Sequence, residues 1–164
     1  LYVKGQLENI WVHVLVNHWP SRRGGSRESE KRRFWASEVA KTFVDSLKKA
    51  DPMANIIMMG DFNDNPTNAS LQNIPLDNPF YDLFKKGYGS LAFNDQWNLF
   101  DQILISTAVS NSQNNLTYYK SIIYNKYYRT ETHGKYKGYP KRTWVGDQYN
   151  AGFSDHFPDR KSVV

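Results

Sequence analysis

The chain contains no cysteine. Disulfides and thiolate metal sites are therefore excluded, while the compartment is left open. It contains no run of about 18 apolar residues, so no membrane-spanning helix is expected. Its first residues lack the basic segment and apolar stretch of a secretory leader, and there is no initiator Met; "LYVKGQ" already reads as the end of a strand. No internal repeat or linker breaks the 164 residues, a length that suits one domain or a large piece of one. Hydrophobic residues reach 40%, enough for a core, which excludes wholesale disorder. The net charge of +5 suits a phosphate-rich partner, and equally suits a plain soluble surface. Aromatics make up 15%, with 11 Tyr and 5 Trp, and most are expected to pack in the core or loops.

Residues 10–17, "IWVHVLVN", are apolar on both alternating sets, which predicts a strand buried on both faces. Pro20 and Gly24–Gly25 end it in a loop. Residues 28–50 predict a helix whose apolar face carries Trp35, Val39, Phe43 and Leu47, flanked by Ala36, Ala40 and Val44, with Lys and Arg on the other face. Ser26 or Ser29 is a candidate cap, and Asp51–Pro52 is the stop. Residues 55–60, "NIIMMG", read as a short central strand, followed by loop chemistry in "DFNDNPTN". A short amphipathic piece is expected over 79–86 and strands over 88–95 and 99–106. The stretch 115–128 is β-prone, although "SIIYNKYY" also fits a helix, and 129–150 reads as a long polar loop. Strand–helix–strand followed by further strands points to an α/β or α+β layered fold.

Polar groups appear in four islands where apolar strands run out: Asn17–His18, Asp61–Phe62–Asn63, Asp101 and Asp155–His156. Loops at strand ends are where a rigid scaffold holds reacting groups. Taken singly, His18 reads as a hydrogen-bonded turn residue and "GDFND" as an Asx-turn. Asp101 is harder to dismiss, because a carboxylate in an apolar strand needs a partner. Together, two His, three Asp and one Asn match the needs of metal-assisted phosphoryl chemistry. A hard cation takes carboxylate oxygens, and attack on phosphorus takes a base, a donor to the phosphate oxygens and an acid.

The motifs "NHWPSR", "GDFND", "NLFDQILIS" and "GFSDHFP", in this order and spacing, resemble the C-terminal part of the endonuclease/exonuclease/phosphatase (deoxyribonuclease I-like) superfamily, in an uncharacterised bacterial branch. The resemblance covers residues 1–158 and implies part of a four-layer α/β/β/α sandwich. It implies a metal-dependent phosphoesterase using Mg²⁺ or Mn²⁺. His156 matches the catalytic histidine, and Asp101 the carboxylate that holds its tautomer. Asp155 matches an acidic group at the metal. Asp61 matches the residue that orients or deprotonates water, Asn63 the amide that donates to phosphate, and His18 a histidine that contacts a phosphate oxygen. Arg22 and Arg23 are candidate phosphate clamps. A monomer acting on a phosphodiester, nucleic acid included, is expected.

The superfamily domain is larger, typically ~250 residues or more, and its early asparagine and metal-ligating glutamate have no counterpart here. The expectation is an N-terminal portion missing, leaving an apolar sheet face uncovered. Any export leader of a bacterial parent would lie in that portion. At the other end, "DRKSVV" lacks the apolar strand character the family places there. It equals the translation of GATCGGAAGAGCGTCGTG, a stretch of a widely used sequencing adapter, so residues 159–164 are expected to be a non-native tail. Removing them lowers the net charge of +5 by one. Other readings are a lipid phosphodiesterase, for which no clear apolar hairpin is visible, a sugar or inositol phosphatase, and a non-catalytic binding module.

Overall fold

A computed structural model describes residues 1–111 and 116–163. Position 115, the first of the β-prone stretch, and Val164 of the tail lie outside the described residues. The fold is α+β, built on a mixed four-stranded sheet in the order β1-β2-β3-β6. A hairpin of β1 (Tyr2–Leu7) and β2 (Ile10–His18) leads through a loop into α1 (Ser26–Ala50). The chain returns as β3 (Asn55–Asp61), parallel to β2, and β6 (Asp101–Ile105) runs antiparallel to β3. Between β3 and β6 lie short helices α2 (Ala69–Gln72) and α3 (Tyr81–Lys85) and the hairpin β4 (Leu91–Phe93) and β5 (Gln96–Asn98). After β6 come α4 (Thr107–Ser110), β7 (Tyr118–Ile123), a 3-10 turn at Tyr127–Arg129, a small hairpin β8 (Trp144–Val145) and β9 (Gln148–Tyr149), and β10 (Asp159–Val163). No described helix is long and apolar enough to cross a membrane.

Helix α1 stops where the sequence predicts: Asp51 caps it, its N–H bonding the Leu47 carbonyl. Its N-cap is Gly25 rather than Ser26 or Ser29, and Ser29 lies one turn inside, its hydroxyl donating to the Gly25 carbonyl. The packed face differs from the predicted one. Ala40 and Val44 are buried against Leu15, Ile56, Met58 and Leu104 of the sheet, with Ala36 and Leu47 at the margin. Trp35 and Val39 stay 66% and 73% exposed. Successive helical positions turn by about 100°, so the apolar stripe is wider than the sheet contact and one edge faces outward. The same rotation buries Arg33.

Strand β2 is central, but it is not buried on both faces. Val12 and Leu15 are buried, whereas Trp11 and Val16 are exposed. Val3, Val14, Val16 and Ile57 share the sheet face opposite α1, and Val3 and Val16 are exposed there. Toward β6 that face is covered, where Phe80 and Leu99 pack on Ile103. The tail also differs from expectation. Asp159–Val163 is a strand pairing antiparallel with β7. A ladder uses backbone groups that every non-proline residue owns, so side-chain polarity did not prevent it.

Candidate active site

Strand register sets the site. In β2–β3 pairing His18 stands beside Asp61, and in β3–β6 pairing Asp61 stands opposite Asp101. Three chemical side chains therefore form one row across neighbouring strand ends. Side chains alternate along a strand, so Asp61 and Asp101 point to the same sheet face. Gly60 allows the strands to close here. Its φ is 141°, and a Cβ would lie 1.9 Å from the Asn17 carbonyl oxygen. The chain then turns tightly: the Asn63 N–H donates to Asp61 Oδ1 at 2.9 Å, with Asn63 at a φ of 52°.

His156 reaches the row from the far end of the chain. Its Nδ1 is hydrogen-bonded to Asp101 Oδ2 at 2.8 Å. A carboxylate only accepts, so Nδ1 carries the hydrogen and Nε2 is left to face the site. This is the partner that Asp101 required. The loop is anchored on both sides of His156. The His156 N–H donates to Ser154 Oγ, the Phe157 N–H donates to the Ser90 carbonyl, and the buried Phe157 ring stacks on Trp97. Gly152 is needed in this approach, because a Cβ would meet the Lys141 and Arg142 carbonyl oxygens at 2.2 Å.

The electrostatics follow. Burial raises the Asp61 pKa; the Asn63 N–H opposes this, the Asp101 charge adds to it, and the His156 and His18 charges oppose it. For His156 burial acts downward, but the hydrogen bond and charge of Asp101, with Asp61 and Asp155, carry its pKa above the ordinary value. His18 is exposed, with Nε2 3.8 Å from Asp61 Oδ2. Among the described residues, no Lys or Arg forms an ion pair with Asp61 or Asp101.

One oxygen or nitrogen from each of Asp61, Asp101 and His156 lies within 4.8 Å of the others. Two facing, half-buried carboxylates without a permanent cation fit a divalent ion, whose charge would offset their desolvation. Asp155 is not in this cluster. It is exposed and lines a neighbouring cavity.

Asn63 lies next to the row, buried, with Nδ2 donating to the Trp19 carbonyl. Arg22 is occupied rather than free to clamp phosphate. Its Nε donates to the Asn63 carbonyl at 2.9 Å, its Nη2 donates to Asp64 Oδ1 at 3.1 Å, and it lies over the Phe100 ring. Arg23 is exposed. Sequence reasoning missed the support behind these groups. Asp64, fully buried, pairs with Arg33 Nε at 2.8 Å and accepts from the Ser70 hydroxyl at 2.7 Å. Gln102 Nε2 donates to the Asp64 carbonyl at 2.7 Å. The only signal for this brace was a second Asp in "GDFND".

Comparison with known proteins shows the family and the fold. A sequence model described as the Endonuclease/Exonuclease/phosphatase family matches residues 1–162. Among curated proteins, none matches this chain in sequence. Truncated Caenorhabditis elegans TDP2 superposes with a TM-score of 0.61 at 14% identity, over 95% of this chain and 56% of that one. Staphylococcus aureus beta toxin with bound magnesium ions gives 0.60 at 19%, over 98% and 56%. Bacteroides thetaiotaomicron mannosyl-6-phosphatase Bt3783 gives 0.55 at 16%, over 94% and 51%. The chain thus spans about half the length of these structures.

Proposed function

Since the chain belongs to the Endonuclease/Exonuclease/phosphatase family, we propose that its strand-end row is the reaction centre of a metal-dependent phosphoesterase, acting on phosphodiesters in a nuclease-like manner. The observation that carries this is the row itself: Asp61 facing Asp101, with His156 locked to Asp101 and His18 beside Asp61. Asp61 takes a proton from water as the water oxygen bonds to phosphorus. The bond from phosphorus to the leaving oxygen breaks, and His156 Nε2–H supplies the proton that oxygen needs. Asp101 holds the imidazole in that tautomer and favours its charged form. Asn63 and His18 donate to the non-bridging oxygens. Asp61 and Asp101 would hold Mg²⁺ or Mn²⁺, with Asp155 adding charge from the adjoining loop; the ion would supply Lewis-acid stabilisation of the charge developing on phosphate. Arg22 acts from behind, by holding Asn63.

One observation favours a second reading, a lipid phosphodiester. The β8–β9 hairpin, which no clear sequence signal marked, exposes Trp144, Val145 and Tyr149. Plasmid nicking and bis-p-nitrophenyl phosphate hydrolysis by the full natural polypeptide, with Mg²⁺ or EDTA and with His156→Ala, separate the readings. Metal- and His156-dependent nicking is expected. Hydrolysis of the small diester without nicking moves the substrate to lipids or small phosphates, and no activity on either supports a binding module. The proposal that residues 159–164 are adapter read-through rests on their sequence, and the genomic locus checks it.

A further inference from the structure

Beside the reaction centre lies a cavity of about 220 Å³ that the mechanism does not use. Phe93, Asn94, Glu131, Tyr136, Arg142 and Asp155, the neighbour of His156, line it. It is built from two segments far apart in sequence. One is the β4–β5 hairpin, whose two-residue turn puts Asn94 and Asp95 at positive φ. The other is the loop 129–150. Tyr139 ties them: its hydroxyl donates to Asp95 Oδ1 at 2.6 Å and accepts the Asp95 N–H at 2.8 Å. Tyr139 also packs on Trp97, which stacks on Phe157, so the cavity wall and the His156 loop share one aromatic column. Glu131 is set by Asn150, whose Nδ2 donates to Glu131 Oε1 at 2.6 Å.

On the phosphoesterase reading, we propose that this cavity is a subsite for the nucleobase of a nucleotide phosphodiester. Its volume is below the ~300–1,000 Å³ of pockets for drug-sized ligands, so it takes a ring system rather than a whole nucleotide. Exposed Phe93 and Tyr136 offer ring faces for stacking. A carboxylate, a guanidinium and an amide at the rim offer both acceptors and donors to a base edge. Aromatic rings with carboxylates also make cages for quaternary ammonium groups. The loop around the cavity weighs against that occupant: Arg129, Lys135, Lys137, Lys141 and Arg142 of residues 129–142 outnumber the two carboxylates that line the cavity, Glu131 and Asp155. A basic loop attracts an anionic diester and repels a cationic headgroup.

The test compares two esters with the same leaving group, thymidine 5′-(p-nitrophenyl phosphate) and methyl p-nitrophenyl phosphate, on the full natural polypeptide. The ratio of their kcat/KM values should favour the nucleoside ester. Phe93→Ala and Tyr136→Ala, both surface changes, should each lower that ratio about tenfold, within the range of base–aromatic stacking. A ratio that is the same in wild type and both variants overturns the subsite, as does a preference for the p-nitrophenyl ester of phosphocholine. Calorimetric titration with thymidine 5′-monophosphate in EDTA reads the cavity without turnover. Binding weakened by Phe93→Ala, with neither ester hydrolysed, keeps the subsite and sinks the phosphoesterase reading. No binding, with both esters hydrolysed, does the reverse.

Discussion

Asp61, the last residue of β3, and Asp64, three residues on, live in opposite electrostatic worlds. Asp64 is fully buried and satisfied by fixed cations: Arg33 at 2.8 Å, Arg22 at 3.1 Å, and the Ser70 hydroxyl. Asp61 is half-buried and faces another carboxylate, and its neighbours on the other sides are the His18 and His156 rings rather than a Lys or Arg. A carboxylate whose two oxygens are taken by Arg22, Arg33 and the Ser70 hydroxyl has none left for substrate or cation, so it holds structure. One that faces a second carboxylate with room for a cation is available for chemistry. The difference separates a brace from a reaction centre, although the two share the segment "GDFND".

The sharpest break of this comparison is Asp64→Ala. It strands Arg33, which is buried, and removing one partner of a buried pair costs about 3–5 kcal/mol. Urea denaturation should show that loss; a change under 1 kcal/mol would mean that Arg33 finds another partner. Asp61→Asn should do the converse. Losing a proton-transfer group costs about 10²–10⁴ in kcat, while the same denaturation curve should show stability kept or slightly raised, because a desolvated carboxylate is removed. Equal losses of stability in the two variants would erase the distinction.

Asp101→Asn is subtler. Asp101 is the largest of the influences that raise the His156 pKa against burial, ahead of Asp61 and Asp155, so the variant should titrate at lower pH, read from the His156 Cε1–H shift by NMR. An unchanged or higher value would remove Asp101 from its assigned role. The smallest effect concerns pH and stability. The folded pKa of His156 lies above its ordinary 6.5. Its contribution is therefore fully present below about pH 6.5 and is lost as pH rises through the raised folded value. The stability gap between wild type and Asp101→Asn should shrink over that interval, and a gap that widens with pH would reverse the sign.

Much of this was legible in residues. β2, α1 and β3 fall where periodicity and punctuation place them, because Gly24–Gly25 and Asp51–Pro52 are strong local signals. Asp101 announced a missing partner by standing in an apolar strand, and His156 fills that need at 2.8 Å. What stayed hidden was tertiary. A helical pattern cannot say which edge of a wide apolar stripe meets the sheet, so Trp35 and Val39 were assigned inward and Arg33 outward. Arg33 is buried because the loop carrying Asp64 lies across it, and Arg22 is drawn from phosphate to Asp64 by the same carboxylate. The cavity beside Asp155 depends on a contact over 44 residues, between Asp95 and Tyr139, which no local pattern encodes.

The most direct measurement is the rate of bis-p-nitrophenyl phosphate hydrolysis by the full natural polypeptide and its Asp61→Asn variant, each with Mg²⁺ and with EDTA. The account predicts a rate that requires Mg²⁺ and falls at least a hundredfold in the variant. A wild-type rate that survives EDTA, or a variant as fast as wild type, would contradict it.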